Sequence, residues 1–173
     1  MIDEGLEKVR HRQEELNSIL LGEDDLGVIV RASIMVEAEL MDIISTMMPK
    51  KTELKKIEKF DFDKKKILAI SLGMNKDLEG PIQQIQKIRN RFAHEISSSF
   101  TKADADNLYS SLGEFDKRVL NQTYRTAAEK LGNPGRLKEF RQTNIKEQVT
   151  LMLSTIWTAV AVSALKAREA NAE

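Results

Sequence analysis

Residues 24–49, DDLGVIVRASIMVEAELMDIISTMMP, are the stretch on which the fold turns. Asp24 and Asp25 offer a side-chain cap and negative charge where a helix begins, and Pro49 stops it at about Met48. Between them Val28, Ile29, Ile34, Met35, Val36, Leu40, Met41, Ile43, Ile44, Met47 and Met48 cover more than one face. A helix this apolar is central, or it lies between the core and a partner. Arg31, Glu37, Glu39 and Asp42 interrupt it. A carboxylate among them that turned inward would need a cationic partner, because a lone buried charge is costly.

Working outward, residues 3–21 form a first helix. Leu6, Val9, Leu16, Ile19 and Leu20 recur at three- and four-residue steps, and Gly22 can cap its end. Glu7, Lys8, Arg12 and Glu15 mark its solvated face. Downstream, Asp61–Gly73 reads as a short helix with Phe62, Ile67, Leu68, Ile70 and Leu72 apolar and Gly73 as C-cap. Asn75–Gly80 is a loop. Pro81 then opens a helix to about His94, striped by Ile82, Ile85, Ile88 and Phe92. Thr101 and Asp104 suit a capping box for a helix to Leu112. Glu114–Leu131 follows, with Phe115, Val119, Tyr124, Ala128 and Leu131 as its apolar side. Gly132-Asn133-Pro134-Gly135 is a turn, and a last helix covers about 137–170. No segment alternates as a strand. The expectation is an all-α chain: one domain over 1–173, an antiparallel bundle of about six to eight helices.

Composition narrows the function. The 173 residues hold 27 Lys+Arg against 27 Asp+Glu, two His and no Cys. Zero net charge excludes a strongly basic nucleic-acid coat. Absent cysteine excludes disulfides, thiol nucleophiles and thiolate metal sites. No metal and no cofactor is expected. The charge is nonetheless segregated: residues 1–49 hold four bases and eleven acids, and residues 50–66 eight Lys and four acids. The Lys run reads as a solvated linker and helix face, with phosphate attraction as the alternative. Leu151–Leu165 is apolar but short of the ~20 residues a membrane span needs, so a core helix, no membrane and a cytoplasmic location are expected.

Signature motifs for phosphate loops, dinucleotide folds, zinc proteases and serine hydrolases are absent. His11, among Arg10, Arg12 and Gln13, reads as a surface residue. The informative segment is Ile85-Gln86-Lys87-Ile88-Arg89-Asn90-Arg91-Phe92-Ala93-His94. It places three cations and an imidazole within eight residues, with no acid. Arg holds phosphate through a bidentate fork, and His exchanges a proton near neutral pH. Those groups suffice to cleave an RNA phosphodiester without metal. On an ideal helix Arg89 and His94 stand about 140° apart, so either the helix ends near His94 or two copies face each other.

Arg89-Asn90-x-x-x-His94, opened by Ile88 at the end of a helix, resembles the R-N-x-x-x-H signature of the HEPN superfamily. Phe62–Gly73 together with Lys87–His94 resembles the mannitol operon repressor (MtlR-like) proteins in that neighbourhood, and Arg31–Met48 resembles the long helix before those elements. The resemblance covers about residues 26–96; helices over 101–170 match only in rhythm. It implies an all-α homodimer and, for many HEPN members, metal-independent endoribonuclease activity of a toxin, antiphage or stress-response type. Arg89 and His94 would be the catalytic pair and Asn90 would position it. Glu37 would be an accessory polar residue, and Lys87 and Arg91 would hold RNA phosphate. HEPN toxins silenced by nucleotide transfer carry Tyr two residues after the His; Ile96 stands there. The alternative is a non-catalytic transcriptional regulator, a helical dimer acting through a protein partner.

Overall fold

In the computed structural model the described residues are 2–48, 53–95, 98–130 and 140–171. Among them every element is helical. The α-helices are α1 (Ile2–Gly22), α2 (Asp25–Met47), α3 (Leu54–Ile57), α4 (Phe62–Ser71), α5 (Glu79–His94), α6 (Lys102–Ser111), α7 (Glu114–Lys130) and α8 (Ile145–Ala170). Short 3-10 turns at Lys76–Leu78 and Phe140–Gln142 lead into α5 and α8. Pro49, Ile96, Leu131 and the turn 132–135 lie outside the described residues, as does the side chain of Ala128.

The helix starts follow from local chemistry. The Asp24 carboxylate accepts from the Gly27 N–H at 2.7 Å, and Asp61 does the same for Lys64 at 2.9 Å. Thr101 and Asp104 form the reciprocal capping box at α6. Gly73 has φ +109° and ends α4 in a Schellman turn: Met74 N–H reaches Ala69 O and Gly73 N–H reaches Ile70 O, both at 3.0 Å. The expected loop 75–80 is instead helical from Lys76 onward. The final helix begins at Ile145, capped by the Asn144 side chain, rather than near 137.

The core is built on α2 and α8. Val28, Ile29, Val36, Leu40 and Ile44 of α2 pack in one buried cluster with Val149, Leu153, Trp157, Val160 and Ala164 of α8. These two helices run the same way: Lys146 donates to the Glu23 carbonyl near one end, and Arg168 pairs with Asp42 at 2.7 Å near the other. The central pair is therefore parallel, unlike the antiparallel neighbours that short loops suggest. The long path through α3–α7 between them permits this. α1 runs against both, with Gly5 beside Leu165 and Arg12 beside both Trp157 and Glu39. A Cβ on Gly5 would come within 2.5 Å of the end of the Leu165 side chain, which would have to shift to admit it.

Several sequence expectations change in three dimensions. Glu39 is buried and takes its cation from Arg12, which the pattern had placed on a solvated face. Lys65 and Lys66, inside the supposedly solvated Lys run, are both buried and pair with Glu37 and Asp63, while Ile67 is 55% exposed. Phe115 is 69% exposed and Val119 39%, against expectation, while Tyr124 packs on the core as expected; among the described side chains of α7 Leu120 is the buried one. α8 holds the Leu151–Leu165 run within Ile145–Ala170. By length and composition it could cross a membrane, yet 67% of its most apolar window is buried inside this protein.

Candidate functional site

α5 carries the Arg–Asn–His string on its last turns. Pro81, Ile82, Ile85, Ile88 and Phe92 form the buried stripe. Phe92 packs on Phe100 with ring centroids 5.3 Å apart, which ties the end of α5 to the segment entering α6. That anchoring leaves the opposite stripe wet: Gln83, Lys87, Asn90 and His94 are all exposed. Their spacing of four, three and four residues puts them on one face. His94 is the last residue of the helix, and the Glu95 N–H closes on the Arg91 carbonyl at 3.0 Å.

The two arginines part company. Arg89 is half-buried, seven residues after buried Ile82 and four after buried Ile85, so it sits beside the apolar stripe; Arg91, two residues on, borders the wet one. Arg91 is fully engaged within the fold. It donates to Asp104 at 2.5 Å, to the Ser99 carbonyl at 3.1 Å and to Ser98 Oγ at 3.2 Å, and its guanidinium lies 4.9 Å from the centre of the Phe92 ring. Asp104 is also the acceptor of the α6 capping box, so Arg91 fastens α5 to the start of α6. By contrast, no side-chain hydrogen bond or ion pair among the described residues involves Lys87, Arg89, Asn90 or His94.

Glu37 is held elsewhere. Lys65 Nζ lies 2.6 Å from its Oε1, linking α2 to α4, and the Lys ammonium is the more buried of the two. Glu37 thus satisfies a buried cation. His11 is exposed on α1, 3.6 Å from Glu15. Among the described residues no group of three His, Asp or Glu stands close enough to hold a metal ion.

Two signals were open to sequence reasoning and were missed. Arg91 has Asp104 ten residues beyond the helix end as a partner, which a census of acids after the motif would have raised. Arg12 lies on the α1 face between Val9 and Leu16 and was available to a buried acid. No family model matches the chain, and no curated protein or solved structure does either.

Proposed function

We propose that this chain is a HEPN-type, metal-independent endoribonuclease that works as a homodimer, with Arg89, Asn90 and His94 of α5 as its reacting and positioning groups. The observation that carries the reading is selective: within one helical end the fold consumes Arg91 and leaves Arg89, Asn90 and His94 without partners among the described residues. A polar trio left unsatisfied at a surface is available to a substrate. His94 takes the proton from a ribose 2′-hydroxyl as its oxygen attacks phosphorus. The imidazolium so formed, or water, gives a proton to the departing 5′-oxygen, leaving a 2′,3′-cyclic phosphate and a 5′-hydroxyl. Arg89 neutralises the charge that builds on the phosphoryl oxygens. Single-stranded or looped RNA is the substrate class, since its sugar can reach the in-line geometry. Lys87, on the same wet stripe as Asn90 and His94, contributes phosphate affinity, while Arg91 serves the fold.

The test is cleavage of single-stranded and structured RNA panels in EDTA. His94→Ala should lower the rate about 10²–10⁴-fold, and Arg89→Ala should do so while also weakening binding. Lys87→Ala should weaken binding and flatten its salt dependence. Equal cleavage by wild type and His94→Ala would refute the assignment.

A second reading, a non-catalytic regulator of the mannitol-repressor kind acting through a protein partner, is favoured by exposed Leu26 (49%), Ile34 (56%) and Ile67 (55%). Apolar side chains of this size at a surface suit a partner. No cleavage by either protein, with capture of a defined partner that Ile34→Glu abolishes, would select it.

A further inference from the structure

A groove of about 710 Å³ lies between α7 and the α2–α8 core, at the start of α5. It reaches Leu78 but not the Arg–Asn–His string, which sits at the other end of α5, roughly 20 Å along the helix. Its volume falls in the range of about 300–1,000 Å³ typical of small-molecule sites.

The wall is more apolar than its composition. Thr155, Thr158 and Ser163 line it from α8, but each hydroxyl donates to a carbonyl of its own helix, those of Leu151, Ser154 and Ala159, at 2.9–3.0 Å. What they offer the groove is therefore largely hydrocarbon, continuous with Ile43 and Met74. α7 supplies the rim, where Phe115 and Val119 stand exposed. The groove follows α8 from Thr155 to Ala170, a length of about 22 Å.

Two charges break this surface: Lys166 of α8, which stands exposed to solvent, and Asp116 of α7, the partly buried one. Asp116 lines the groove, makes no ion pair among the described residues, and is half-buried. Burial, and then the like charge of Asp77, push its carboxyl above the usual range. An apolar channel that ends in a partly desolvated, unpaired carboxylate with a second acid nearby complements a ligand of opposite character: a long apolar body with a cationic head.

We infer that this groove is a binding site for an amphipathic organic cation, its apolar body along α8 and its ammonium or guanidinium against Asp116. The inference is independent of the ribonuclease reading, because no residue is shared.

Decylamine, decanol and decanoate, below their aggregation concentrations, are the probes; they share a chain and differ in head charge. Titration calorimetry on the full chain should show saturable 1:1 binding of decylamine, roughly ten- to hundredfold tighter than decanol, the worth of one charge-assisted hydrogen bond. Decanoate should bind weakest. Asp116→Asn, isosteric and relieved of a desolvated charge, should keep the fold by circular dichroism and erase the preference of amine over alcohol. Ala159→Phe should block all three. Equal binding of the three probes, or an amine preference that survives in Asp116→Asn, would overturn the cationic class. Absence of saturable binding, with a dimer that Phe115→Glu dissociates, would assign the groove to a second copy instead.

Discussion

At the scale of single residues, the same charge type is put to opposite uses by what lies beside it. Arg12 and Glu39 show the asymmetry of a half-buried pair. The Glu39 side chain is 4% exposed and the Arg12 side chain 45%. Arg12→Ala therefore strands a buried carboxylate and also removes the guanidinium lying 5.1 Å from the centre of the Trp157 ring. Glu39→Gln leaves Arg12 free to return to water. Chemical denaturation should show Arg12→Ala costing about 3 kcal/mol and Glu39→Gln distinctly less. Equal losses would contradict the argument. Asp116 is the reverse case, a carboxylate with no cation. Its position in the first turn of α7 favours its charge, but burial and Asp77 outweigh this, and its carboxyl titrates above the usual range. The charged form is therefore disfavoured in the folded chain. The penalty is present at neutral pH and disappears as pH falls through the raised value toward the unfolded one. Asp116→Asn should raise the melting temperature at pH 7, and the gain should shrink in acid. A gain that grew toward low pH would reverse the sign.

At the scale of elements, caps and edges decide where helices begin, and shared acceptors decide how they join. Asp104 accepts from the Thr101 N–H at 2.7 Å, from the Thr101 hydroxyl at 2.8 Å and from Arg91 at 2.5 Å. One carboxylate both caps α6 and clamps α5. Thr101→Ala, which removes only the cap hydroxyl, should cost about 1 kcal/mol. Asp104→Ala should cost clearly more and should loosen the end of α5 that presents His94. Hydrogen exchange at residues 91–95 is the readout, and faster exchange in Asp104→Ala alone is the expected result. α4 shows the limit of pattern reading at this scale. Its stripe of Ile67, Leu68 and Ile70 suggested a face, yet the helix buries Lys65 and Lys66 because Glu37 and Asp63 are there to receive them.

At the scale of the whole molecule, α2 and α8 form a parallel central pair flanked by α1 on one side and by α4–α7 on others. Leu26, Ile34 and Ile67 remain at the surface, as does Leu21 (64% exposed). Burying such side chains is worth about 25 cal/mol per Å², so a second copy gains by covering them. Together with a motif whose two reacting groups lie on different sides of one helix, this leads us to propose a two-fold symmetric homodimer. Light scattering at micromolar concentration should give twice the chain mass of 19.6 kDa. A mass of one chain would end that proposal and, with it, the shared cleft between two copies of α5.

The sequence by itself determined the helical class, most helix starts and the apolar stripe of α5. Those features are local: a cap side chain, a proline, or a glycine at positive φ acts within a few residues, and a stripe of Ile82, Ile85, Ile88 and Phe92 needs only the period of a helix to define the wet face opposite. What only the tertiary structure decided is which charges are spent. Glu37 and Lys65 stand 28 residues apart, Arg12 and Glu39 27, and Arg91 and Asp104 13. Whether such a pair meets depends on the packing angle and direction of whole helices, above all on the parallel run of α2 and α8, and no local pattern encodes that. The same packing leaves Phe115 and Val119 at the rim of a groove instead of in the core.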